Sequence, residues 1–184
     1  MEEEYDLKSD LISLGFEEDE IQELLEYATN DIDAKELKRK IEFLISLRLR
    51  NETILMIISE NPLFITTELE DMMNTVDYLK NKLNENDVSI VLGLEPYTIT
   101  TSREYFERNE HEIGKYVGEE GIKEELLSNT ELFTFEPEFL AERIDYLISK
   151  GHKDHLEDIF VDDIDFFYLD DDEIDDYEFR YEMR

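Results

Sequence analysis

Residues 59–70 read SENPLFITTELE and residues 93–104 read GLEPYTITTSRE. Two of the chain's three prolines, Pro62 and Pro96, thus stand 34 residues apart, and Ile-Thr-Thr follows each at the same offset, at 65–67 and 99–101. The spacing continues in both directions. Glu36, Glu70, Glu104 and Glu138 are 34 apart at every step, and three residues ahead of them stand Asp33, Thr67, Thr101 and Phe135. Asp or Thr three residues before Glu is a capping box, in which the first side chain accepts from an orphan amide and the glutamate reaches back, so three of these glutamates mark helix starts. In the fourth copy Phe135 has no capping oxygen, but Pro137 suits a first helical turn.

Apolar residues on either side follow helical spacing. Ahead of each box come Ile21, Leu24 and Leu25; Ile54, Ile57 and Ile58; Val88, Val91 and Leu92; and Ile122 with Leu126. Behind it come Leu37, Ile41 and Leu44; Met72, Val76 and Leu79; Phe106 and Ile113; and Leu140, Ile144 and Leu147. Steps of three and four put each set on one helix face. Pro62 and Pro96 push the residue before them out of the helical region, which closes the first helix of the pair. The unit is therefore helix, tight turn, helix. The join between units repeats as LISLGF at 11–16, LISLRL at 44–49 and LISKGH at 147–152. A half-unit ending at Gly15 and four units at roughly 16–48, 49–82, 83–116 and 117–150 follow from this. A period near 34 residues predicts an all-α helical-repeat solenoid with atypical end units.

The pattern LGFEEDEIQELL, then NPLF, then LEDMMNTVDYLKN resembles the repeat of the mitochondrial transcription termination factor (mTERF) family over about residues 8–150, best at 49–82. The resemblance implies a helical solenoid whose basic groove holds nucleic acid. Tetratricopeptide repeats fit poorly, since the chain has no tryptophan and its only alanines are Ala28, Ala34 and Ala141.

The charge departs from that expectation. Acidic residues outnumber basic ones 51 to 18, for a formal net charge of −33. Such a field repels nucleic acid and anionic lipid and attracts basic surfaces. Basic residues cluster only at Lys35, Lys38, Arg39, Lys40, Arg48 and Arg50, where glutamates nearby at helical spacing answer them. Aromatic content of 11 % supports a folded chain, and no stretch approaches the length of a transmembrane segment. The absence of cysteine removes thiolate chemistry and disulfides. A cytoplasmic location is the expectation.

From 157 onward acid and aromatic residues alternate: EDIFVDDIDFFYLDDDEIDDYEFRYEMR. Leu156, Ile159 and Phe160 could open a fifth unit, with Asp170 and Glu173 as its capping box and Ile174, Tyr177 and Tyr181 at helical spacing. Tyr177, Phe179, Tyr181 and Met183 alternate as a strand would, and the composition also suits a tail that orders on a partner. A degenerate capping unit is the favoured reading, which divides the chain into a repeat solenoid at 1–156 and an acidic, aromatic cap or tail at 157–184.

No catalytic constellation stands out. His152 and His155 flank Asp154, but no further histidine or cysteine is in reach by sequence; the acidic run at 170–176 lacks the glycine and ligand spacing of a calcium loop. No enzyme activity, cofactor or metal is expected. The chain is expected to be a protein-binding module that engages a basic, nucleic-acid-binding partner, as a mimic competing with DNA or RNA. Asp162, Asp163, Asp165, Asp170, Asp171, Asp172, Asp175 and Asp176 would supply charge, with Phe166, Phe167 and Tyr168 as anchors. An apolar scaffold or adaptor and a nucleic-acid binder of the mTERF type are the alternatives.

Overall fold

A computed structural model describes residues 7–22, 34–169, 173, 174 and 177. Among these, all regular structure is helical. The chain forms two compact units, Met1–Thr101 and Ser102–Arg184.

In the first unit, the helix Leu7–Leu14 precedes helical residues 18–22 and the long helix Ala34–Ser46. The next repeat has three elements: helix Asn51–Glu60, a one-turn helix Leu63–Thr66 and the long helix Leu69–Lys82. Helix Glu85–Leu94 and the 3-10 turn Pro96–Thr100 repeat the first two. What the sequence presented as a tight turn is thus a short helix of its own. Asn61 and Glu95 are extended, as the following prolines require, and end the first helix. Ile65 and Ile99 point into the core. The threonines close the turn: Thr66 Oγ1 donates to the Leu63 carbonyl, and Thr100 and Thr101 hydroxyls donate to that of Tyr97.

Thr67 and Thr101 are therefore C-caps of the short helices, and the capping-box reading is corrected at both. Glu68 occupies the N-cap of the next helix without a side-chain bond, and Ser102 caps the helix that opens the second unit, its Oγ accepting from the Tyr105 amide. Asp33 lies outside the described residues.

In the second unit, Arg103–Ser128 runs as one helical segment broken at Gly118, whose φ of 73° no other residue adopts cheaply. A Cβ on Gly121 would meet the Val117 side chain at 2.7 Å, so both glycines of this pair are required by the break. The 3-10 turn Thr130–Phe133, the long helix Pro137–Ser149, the helical stretch Lys153–His155 with Leu156–Asp162, and the turn Ile164–Tyr168 follow. The break makes residues 119–128 the first helix of a repeat. Residues 157–169 belong to this unit and carry buried Ile159, Phe160, Phe166 and Phe167.

Long helices begin at Ala34, Leu69, Arg103 and Pro137, steps of 35, 34 and 34. Glu36 accordingly sits one place later in its helix than Glu70, Glu104 and Glu138 in theirs. In the structural register Leu37, Met72, Phe106, Leu140 and Ile174 are equivalent, as are Leu44, Leu79, Ile113 and Leu147, and all are buried.

A third equivalent set is polar. Lys40, Thr75, Asn109 and Arg143 are all buried, and each donates to backbone carbonyls at the short helix of the following repeat. Lys40 Nζ reaches the Phe64 and Ile65 carbonyls at 3.3 and 2.6 Å. Thr75 Oγ1 reaches that of Thr101 at 2.7 Å. Asn109 Nδ2 lies 3.3, 3.1 and 2.9 Å from those of Leu132, Phe133 and Phe135, and Arg143 Nη2 lies 2.7 Å from that of Leu169. The last carbonyls of a helix lack internal partners; a short helix has few others, so an outside donor is needed at each junction. Desolvation lowers the Lys40 pKa, with Glu36 and Glu68 opposing it.

Candidate partner-binding site

The 34-residue register places the acidic end of the chain. Position 64 recurs as Thr98, Leu132 and Phe166, and position 65 as Ile99, Phe133 and Phe167; all are buried. Phe166 and Phe167 are thus the core pair of the fourth short helix among the described residues, not surface anchors. Phe167 stacks on Phe160 at 5.7 Å between ring centres and meets Phe166 edge-on at 5.5 Å. Asn61, Glu95, Asn129 and Asp163 likewise share one place, the end of a first helix. Asp163 is buried and accepts from the Tyr177 hydroxyl at 3.2 Å, so it serves the fold and presents no charge to a partner. The sequence signal was available: the register that pairs Ile65 with Ile99 continues to 167.

Of the remaining expected residues, Asp165 and Tyr168 are exposed. The Asp162 side chain and Asp170, Asp171, Asp172, Asp175 and Asp176 lie outside the described residues. Tyr168 sits against Phe135, ring centres 5.2 Å apart, and Phe135 against Phe139 at 5.4 Å. These rings, with Phe167, Glu136, Arg143 and Leu169, line an open groove of about 400 Å³. Arg143 forms its inner wall, the guanidinium 4.9 Å from the Phe139 ring centre and bonded to the Leu169 carbonyl. Sequence reasoning found Tyr168 and missed Phe135, Glu136 and Phe139, because the rings converge from two consecutive repeats.

A second acid lies inside. Glu125 is buried beneath this unit's surface, where desolvation raises its pKa; Glu124, Glu157 and Glu131 add to the rise, while the Asn129 amide, bonded at 2.8 Å, opposes it. Asn129 Nδ2 also donates to the Phe160 carbonyl of the next repeat at 3.1 Å.

The basic cluster of the first unit is partly structural too. Lys40 is committed to the junction carbonyls, Lys38 lies 3.6 Å from Glu42, and Arg48 takes the left-handed conformation, φ 57°, at the place where Gly15 and Gly151 end their helices. His155 Nδ1 faces Asp158 at 3.7 Å, and among the described residues no three acidic or imidazole groups converge as a metal site. No described helix is long and apolar enough to cross a membrane.

Stacked three-helix repeats whose junctions are held by buried donors, with an acidic exterior, define an all-α helical-repeat protein of the solenoid class. The mTERF family model matches residues 9–159. The chain belongs to the mTERF family of helical-repeat proteins. No curated protein matches it.

Proposed function

We propose that this chain is a non-catalytic binding protein whose acidic surface engages a basic partner, itself a nucleic-acid-binding protein, in competition with DNA or RNA. The observation that carries the proposal is the net charge of −33 on a repeat fold whose family resemblance implies nucleic-acid binding. Neutralising several phosphates takes several lysines and arginines on one face. Here Lys40 and Arg143, which occupy equivalent inward positions, donate to the chain's own carbonyls instead.

The test is capture from nuclease-treated lysate at low and high salt, followed by measuring whether the captured protein still binds nucleic acid. A basic nucleic-acid-binding protein, retained at low salt and displaced from its substrate by the pure chain, supports the proposal. The family match favours a second reading, direct nucleic-acid binding through Lys35, Lys38, Arg39, Arg48 and Arg50. A mobility shift of labelled DNA or RNA by the pure chain at physiological salt, lost on neutralising those residues, would establish it and displace the first reading.

A further inference from the structure

We infer that the groove lined by Phe135, Phe139, Phe167 and Tyr168 receives a short basic segment of the partner, which inserts one aromatic side chain between the rings and lays its lysines or arginines along the acidic rim. The inference rests on the basic-partner reading and names where that partner docks. Its first support is shape and chemistry: about 400 Å³ of open, largely aromatic space, enough for one large side chain. Charge is the second. Glu136 stands in the lining, Asp165 beside Tyr168 is exposed, and Glu138 and Glu142 are exposed on the helix that begins at Pro137. The cation that does line the groove, Arg143, is buried, with a donor on the Leu169 carbonyl and its plane over Phe139. It therefore fixes the wall; Arg108 pairs with Glu138, and Glu136, Asp165 and Glu142 supply the acidic edge. Aromatic side chains seated in pockets are common interface hot spots, and complementary charge around them steers and orients the partner.

The groove also explains how an exposed ring can be tolerated here. Tyr168 is 59 % exposed although it continues the buried Phe166 and Phe167. The threonines at the equivalent places, Thr66, Thr100 and Thr134, each bond a carbonyl three residues back. Among the described repeats, the last replaces that local hydroxyl bond with a ring turned toward Phe135.

The probe is a synthetic peptide with a single tryptophan flanked by lysines, titrated into the full chain. Since the chain has no tryptophan, emission reports the peptide alone. The expected result is a saturable blue shift that weakens with salt. Replacing the peptide's tryptophan by alanine, or making Tyr168→Ala in the chain, should weaken binding about 3- to 10-fold. Glu136→Lys should weaken it too; it breaks no side-chain cap bond, and any shift in melting temperature stays within the small effect of reversing a charge at a helix N-terminus. An unshifted emission at saturating chain, or Tyr168→Ala and Glu136→Lys binding as the parent does, overturns the inference. If those variants still capture the basic protein of the preceding test, the docking site is wrong and the basic-partner reading stands. If neither peptide nor basic protein binds, both fail.

Discussion

Replacing Asn109 by alanine isolates what the recurring junction donor contributes. Its side chain is fully buried, its amide nitrogen faces three carbonyls at 2.9 to 3.3 Å, and its Oδ1 is buried without a hydrogen-bond partner. Two amide protons can make two good bonds at once. A net hydrogen bond is worth roughly 0.5–1.5 kcal/mol, and a buried carbonyl left without a donor costs roughly 1–3 kcal/mol. Partial collapse of the space and removal of the unpartnered Oδ1 offset some of this, so a loss of about 3 kcal/mol is expected. For a chain of this length each kcal/mol moves the midpoint by about 2–4 °C, which puts the drop at roughly 6–12 °C by calorimetry or circular dichroism. Asn109→Thr, the residue the preceding repeat uses at Thr75, keeps one donor and should lose about half as much. Asn109→Asp turns a donor into a carboxylate facing carbonyls and should lose the most. Midpoints for Asn109→Ala and Asn109→Asp both within about 2 °C of the parent would refute the idea that these donors hold the repeats together.

Other expectations test separate parts of the account. Arg48→Gly should stabilise by about 0.5–1 kcal/mol, because it relieves a left-handed residue at a helix end; a lower midpoint would show that the arginine side chain outweighs that strain. Phe167→Ala should cost about 3–5 kcal/mol, as for a core ring, while Tyr168→Ala changes stability little; equal effects would overturn the division between core and groove. Glu125 has a folded pKa raised above its ordinary 4.5, so its ionised form penalises the fold. The penalty is present at neutral pH and fades as pH falls through the folded value toward 4.5. Glu125→Gln should therefore be more stable than the parent at pH 7, with the difference shrinking in mild acid. Subtracting one curve from the other removes the opposing effect of His152, whose lowered pKa loses stability as pH drops through 6.5.

The long helices were legible because several turns expose a period: Leu37, Ile41 and Leu44, or Leu140, Ile144 and Leu147, mark a face unaided. A one-turn helix such as Leu63–Thr66 has no period to read, so its proline and threonines announced a turn and concealed a third element. The glutamate spacing misled by one residue at the first repeat, where Glu36 and Glu70 agree by coincidence of composition in acid-rich helix starts. Phe166 and Phe167 were misplaced for a related reason. Their equivalents are Phe64 and Ile65, Thr98 and Ile99, and Leu132 and Phe133, alike in burial and unlike in type. A run of aspartates around them suggested a binding surface where the register required a core.

The junction position shows why the family fold and the surface charge vary independently. Lysine, threonine, asparagine and arginine fill it in turn, so what the fold demands there is a donor of adequate reach and not a particular charge. The apolar positions make a similarly loose demand, volume and burial. Everything outward of these sets is unconstrained by the repeat, and in this chain it is filled overwhelmingly with carboxylates. Self-repulsion on that scale works against the compact state, and the exposed ion pairs, such as Arg103 with Glu107 and Lys115 with Glu112, are too solvated to offset it. A basic partner would remove the repulsion as it binds, so the same charge that costs the free chain stability favours its complex. The fold therefore comes from the family, while the sign of the surface charge comes from the residues the fold leaves free.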